Sequence, residues 1–375
     1  MSNLKQTFFS ETSVSFVPEK NSFNAIRLLC ALIVLYEHCV VLSGSDLPCL
    51  NLRGIAVNVF FVLSGFWVTV SYLRCRSLNE YAGKRFKKIF PQYWIVVAVC
   101  AIGLCTFSVL PLGEYFSDGE FFKYVASNFL TLNFIHPCLP GVFEGLALGE
   151  SVNGSLWTIK VEIGFYILLP VVLFLMKKLN AACSGGKNNG GGYGCIVLFV
   201  LYLLSVLYEV FMPYITEKTP LPSALNNQLP AFISYFTGGM SFALFGEWLF
   251  PKLKTAFVPS AILLVLANVF KIPFISAFVS PACLSICVLY SALNLKVFSG
   301  AGSKADYSYG IYLVHYPLAM CFIQLGLFER KPGFAIFAVL GTSFLCAFLL
   351  EKLQKSLFEK NTGKLAATGE GGKNE

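Results

Sequence analysis

Apolar residues in this chain of 375 run in long blocks, without the strict alternation of a half-buried strand. The blocks fall at 25–43, 54–73, 89–110, 158–176, 195–214, 228–249, 256–270, 274–294, 306–327 and 333–350, parted by short polar or basic joints. A bilayer core about 30 Å thick takes about 20 apolar residues per helix. The pattern therefore predicts an all-α fold, a polytopic membrane helical bundle of about ten transmembrane helices. One joint is long: 111–157 is semi-polar, rich in Gly, Pro and Phe, and acidic through Glu114, Asp118, Glu120, Glu144 and Glu150. Re-entrant or interfacial helices would suit it. The stretch SGGKNNGGGYG from Ser184 reads as a flexible joint. The chain thus divides into an N-terminal segment, 1–24, a membrane domain, 25–350, and a basic, flexible tail, 351–375.

Composition agrees: 56% of residues are hydrophobic and 13% charged, against about a quarter charged in soluble domains. The polar opening MSNLKQTFFSETSVSFVPEKNSFN lacks an apolar core followed by a small-residue cleavage site, so no removable signal peptide is expected. The formal charge of +8 comes from basic residues at membrane edges, a matter of topology and not a nucleic-acid patch. If the helices alternate, an N-terminus on the inside puts 21 of the 28 Lys and Arg on the cytoplasmic side and seven outside, so both termini are expected in the cytoplasm. The thirteen cysteines sit mostly within apolar runs, with no CxxC and no Cys/His metal spacing, so no metal site is expected. Cys49 and Cys138 fall in loops of the same outer side and leave a disulfide open.

Ionisable residues inside the hydrocarbon are costly and mark candidate sites. Arg27 and His38 lie eleven residues apart in the first block, which places them on one helix face about 16 Å apart. Arg27 falls near the cytoplasmic edge, within reach of donor phosphates, and His38 in the outer half, where a neutral imidazole can act as a base. Alone, the two equally fit a snorkelling arginine and a bundle-facing histidine. Lys84, Arg85, Lys87 and Lys88 also satisfy the positive-inside rule by themselves. Glu162 can be a first-turn carboxylate favoured by the helix dipole, or can bind an acceptor or polarise a histidine. Tyr312, His315 and Tyr316 share a helical neighbourhood; Pro317 beside them can kink the helix and free a carbonyl. That face suits a sugar or pantetheine channel, or hydrogen bonding between helices. Ser64 and Gly65 read as close-packing residues, since no Gly-x-Ser-x-Gly elbow surrounds the serine. Glu37 and His136 are left without a role.

GIAVNVFFVLSGFWV (54–68), KRFKKIFPQYW (84–94), NGSLWTIKVEIGFYILLP (153–170) and DYSYGIYLVHYP (306–317), together with Arg-x10-His in the first helix, carry a wider resemblance. In that order, over roughly 20–350, the chain resembles the acyltransferase-3 family of integral-membrane acyltransferases. The resemblance implies ten core helices and transfer of an acyl group, usually from acyl-CoA, to hydroxyls of surface polysaccharides, glycolipids or similar acceptors. It places the family's essential arginine and histidine on Arg27 and His38, its cytoplasmic basic pair on Arg85 and Lys88, and its helix-start glutamate on Glu162. Lysine at 88, where the family often has arginine, keeps the charge but loses bidentate phosphate geometry. Many larger members add a C-terminal SGNH-type esterase domain, which is not expected here.

The expectation is an integral-membrane O-acyltransferase of the bacterial cytoplasmic membrane, an O-acetyltransferase in the first instance. It would bind no permanent cofactor and would take acyl-CoA, acetyl-CoA in particular, as donor substrate. His38 and Glu162 would carry the chemistry, Arg27, Arg85 and Lys88 the donor, and Tyr312, His315 and Tyr316 the substrate. Its partners would be a glycan or lipid-linked acceptor and membrane lipid, with no nucleic acid. The competing reading is a transporter or exporter of a polysaccharide or lipid-linked sugar, which also needs many spans and buried polar residues.

Overall fold

A computed structural model describes residues 20–146, 149–183, 192–295 and 306–369; the expected joint, as far as residue 191, lies outside them. Among the described residues the principal helices are α1 (Phe23–Ser43), α2 (Arg53–Arg74), α3 (Leu78–Gly103), α4 (Leu112–Ser117), α5 (Gly119–Phe129), α6 (Trp157–Cys183), α7 (Gly192–Lys218), α8 (Ile233–Leu244), α9 (Leu253–Phe270), α10 (Pro273–Asn294), α11 (Ser308–Gln324) and α12 (Pro332–Gly369). No strand joins them; one isolated antiparallel bridge links Ser108 and Val142.

Eight helical segments of the described chain are long and apolar enough to cross a bilayer. The blocks 228–249 and 306–327 instead give α8 and α11, of 12 and 17 residues, short of the ~20 that a perpendicular span needs. The first of these blocks is interrupted: a 3-10 turn, Leu229–Phe232, precedes α8, and a separate one-turn helix, Gly246–Leu249, follows it. α9 turns Val258, Ile262, Val265 and Val269 outward at spacings of three and four, an apolar stripe that lipid can solvate and water cannot. The protein is an all-α, multi-pass membrane protein. The last helix does not end near residue 350 but runs to Gly369, which puts Lys352, Lys355, Lys360 and Lys364 on helix.

The chain folds as two compact units, interleaved along the sequence. The first comprises Met1–Cys30, Gly54–Arg85 and Thr158–Ser303. Within it α2 and α8 touch backbone to backbone. A methyl group on Gly65 would lie 2.0 Å from the Phe236 carbonyl oxygen, and one on Gly239 would lie 1.9 Å from that of Val62. Small residues allow this approach, which gives a bilayer helix pair its van der Waals contact. Gly65 is thus a close-packing residue, as expected. Phe23 stacks on Phe66 (5.6 Å) and meets Trp67 edge-on (5.0 Å). α9 and α10 are joined by two residues; Lys271 takes a left-handed conformation (φ 48°) and returns its N–H to the Ala267 carbonyl, 3.1 Å away.

The second unit comprises Ala31–Arg53, Phe86–Trp157 and Lys304–Glu375. It holds the long joint, whose short helices α4 and α5 are tied to α3. Tyr93 and Trp94 donate to the carbonyls of Asn128 (2.8 Å) and Phe129 (2.9 Å), and Tyr115 donates to Ala101 (2.7 Å). Asp118 starts α5 by accepting the Glu120 N–H at 2.8 Å. α11 packs closely on α12 at Gly310, where an added methyl group would lie 2.8 Å from the Ala347 Cβ. Cys49 and Cys138 are both free thiols, and burial pushes the Cys138 thiol up from its ordinary range.

Candidate active site

The second unit builds its polar centre from the end of α1, the start of α2, the turn before α6, and α11. Glu37, left without a role by the sequence, is a structural carboxylate: it accepts the backbone N–H groups of Leu52 (2.6 Å) and Arg53 (2.8 Å) and so fixes the loop that opens α2. One residue on, His38 points its Nδ1 at Nε2 of His315, 2.9 Å away, with the rings at 26° and their centroids 5.1 Å apart. Tyr316 closes on the same ring edge-on, centroid to centroid 5.4 Å. The Arg53 guanidinium is near enough to act electrostatically on both His38 and Tyr316. His38 is half-buried, whereas His315 is wholly enclosed.

Pro317 explains why α11 is so well fastened here. Proline has no N–H, so the carbonyl four residues earlier, that of Leu313, loses its helical partner. Asn153 supplies the replacement, its side-chain amide donating at 2.8 Å. Asn153 is held in turn by Ser155, whose hydroxyl donates to its side-chain oxygen at 2.7 Å, while Tyr312 donates to the Ser155 carbonyl at 3.2 Å. A methyl group on Gly154 between them would lie 2.8 Å from the Tyr316 hydroxyl. The turn 153–155 is therefore stitched to residues 312–316. Pro317 announced a free carbonyl in the sequence; its partner, and Arg53, carried no such signal.

Glu162, Arg27 and Arg85 belong to the first unit. Arg85 sits against two aromatic faces, Tyr166 at 5.5 Å and Tyr81 at 6.0 Å from the ring centroids, and donates through Nη2 to the Ser71 hydroxyl at 3.0 Å. Its buried Nε has no hydrogen-bond partner among the described residues. Tyr81 donates to the Tyr166 carbonyl (3.0 Å), and the Tyr166 hydroxyl donates to Glu162 Oε1 (2.6 Å). Glu162 therefore stands with Tyr166, one turn along α6, and not with a histidine of its own unit, which contains none. Arg27 is half-buried near the start of α1. Lys88, in the second unit, is exposed and pairs with Asp306 at 3.4 Å. Asp306 also accepts the N–H (3.2 Å) and the hydroxyl of Ser308, where α11 begins.

Among the described residues no group of three or more His, Cys, Asp or Glu is placed to hold a metal ion. What the second unit offers is an accessible imidazole backed by a buried one, an arrangement suited to proton transfer.

The class of this multi-pass helical membrane protein comes from sequence comparison. The family model described as an acyltransferase domain matches residues 20–352, so the chain belongs to the acyltransferase-3 family. An O-acetyl transferase of Shigella phage Sf6 is 23% identical over 93% of this chain and 99% of its own length. Nodulation protein 10 of Rhizobium leguminosarum bv. viciae is 28% identical, over 44% of this chain and 47% of its own. No solved structure matches. The chain is an enzyme, an integral-membrane O-acyltransferase that takes an acyl donor and an acceptor.

Proposed function

We propose that this protein transfers an acetyl group from acetyl-CoA to a hydroxyl of an envelope polysaccharide, glycolipid or similar acceptor in a bacterial cytoplasmic membrane. The observation that carries the mechanism is the half-buried His38 imidazole backed at 2.9 Å by the enclosed His315. His38 takes the proton of the acceptor hydroxyl as its oxygen attacks the thioester carbonyl. The tetrahedral intermediate collapses with cleavage of the carbon–sulfur bond, and the His38 imidazolium returns the proton to the sulfur. The products are an ester and free CoA. Arg27, Arg85 and Lys88 are assigned to the donor's phosphates, for which cationic side chains are the natural partners. Glu162, expected from the sequence to act beside His38, is assigned here to the donor side, where it accepts the hydroxyl of the Tyr166 ring that faces Arg85. Tyr312 and Tyr316 line the acceptor's approach.

We take both termini and the basic segment 74–88, most of which lies on the first turns of α3, to face the cytoplasm, the side that Lys and Arg favour. Donor and acceptor then enter from opposite faces, since Arg27 opens α1 and His38 lies about 16 Å further along it. The test is acetyl transfer by purified protein, compared with His38→Ala. Acceptor-dependent consumption of acetyl-CoA that falls about 10²–10⁴-fold in the variant is the expected result; equal rates in both proteins would overturn the mechanism. In sealed vesicles of known orientation with acetyl-CoA on the cytoplasmic side only, acceptor confined outside should be modified. Equal modification of acceptor kept on the cytoplasmic side would overturn the two-sided route.

A further inference from the structure

We infer that His315 is a positioning residue, which fixes the tautomer of His38 so that Nε2 of His38 is the basic atom. This rests on His38 as the base and goes beyond it. The hydrogen-bond directions leave little freedom. His315 Nδ1 faces the Ile311 carbonyl at 3.2 Å, and a carbonyl only accepts, so the proton of neutral His315 is on Nδ1. Its Nε2 is then an acceptor. The 2.9 Å contact from His38 Nδ1 needs a donor, so the proton of neutral His38 is on Nδ1 and its Nε2 carries the lone pair. A relay thus runs from the Ile311 carbonyl through two rings and ends at His38 Nε2. His315 is wholly buried, so it touches substrate only through His38.

The chain has three histidines, His38, His136 and His315, so nitrogen-15 labelling at histidine gives a spectrum that single substitutions assign. In the unliganded protein, His38 should show a protonated Nδ1 and an unprotonated Nε2. In His315→Leu that pattern should be lost, and kcat should fall about 10–100-fold, the scale known for partners that orient metal-binding histidines, while KM for acetyl-CoA and acceptor stays unchanged. His315→Gln, whose side-chain oxygen can accept from His38 Nδ1–H, should recover part of kcat. A His38 protonated on Nε2 in the parent protein would overturn the inference. So would an unchanged kcat in His315→Leu, or a raised acceptor KM at unchanged kcat, which would make His315 a substrate contact. His38→Ala, measured alongside, separates the two levels. If it retains full activity, the base assignment fails whatever the tautomer; if it is inactive while His315→Leu is not, only the positioning role fails.

Discussion

Arg85 and His38 are both polar groups in an apolar helical protein, yet each is held differently. The guanidinium rests on the faces of Tyr81 and Tyr166 and on one hydroxyl, contacts that constrain position but not hydrogen-bond direction, and its Nε is left over. The imidazole faces a directed partner, itself directed by a carbonyl. Aromatic faces steady a cation without saturating its donors, which suits a group that must still bind an incoming anion. A directed relay leaves one nitrogen lone pair in one place, which suits a group that must remove one proton. The contrast fits the proposed roles, Arg85 for the donor's phosphates and His38 for the proton.

The first way to break that comparison is His38→Ala. A positioned base contributes about 10²–10⁴-fold, so turnover should fall within that range while the yield of folded protein is unchanged. Arg85→Ala should act on binding instead. A hydrogen bond to a charged group is worth about 1.5–3 kcal/mol, or roughly 10–100-fold in donor affinity, so apparent KM for acetyl-CoA should rise with smaller change in kcat. If Arg85→Ala lowers kcat alone, the division of labour is wrong. Asn153→Ala tests the scaffold between these extremes. It strands the Leu313 carbonyl beside Pro317, and polar contacts within a bilayer average about 0.6 kcal/mol with a maximum near 1.7. A thermal-unfolding midpoint lowered by a few degrees, with kcat reduced less than in His38→Ala, is the expected outcome; no change in either would mean that the Leu313 carbonyl needs no partner.

The helices were legible in the sequence because the bilayer sets their length: all ten apolar blocks became helix, including 256–270, which the structure widens to Leu253–Phe270. Span length was less legible, since α8 is stopped by local backbone turns and not by polarity. His38 and His315 were each recognisable as intramembrane histidines, but their pairing was not. They are 277 residues apart, and only the packed fold brings them to 2.9 Å. Glu37 reads in sequence as a costly buried carboxylate, and its partners are backbone N–H groups, which have no sequence signature. The motifs stated which residue types are present; the hydrogen-bond partners decided what each can do.

Lys88 gives the smallest and most discriminating effect. It lies one helical turn from Arg85 in the same basic run, and composition alone treats the two alike. Their surroundings differ: Arg85 is half-buried between aromatic rings, whereas the Lys88 side chain is 46% exposed and its partner Asp306 19%. An exposed ion pair contributes about 0–1 kcal/mol, and a lysine ammonium meets phosphate as a point charge without the forked geometry of arginine. Lys88→Ala should therefore raise the acetyl-CoA KM less than about fivefold and lower stability little, because Asp306 keeps its contacts to Ser308 at the start of α11. Saturation curves at fixed acceptor, run beside Arg85→Ala, make the comparison. A Lys88 effect equal to that of Arg85 would mean that total positive charge, and not the aromatic cradle, governs donor binding.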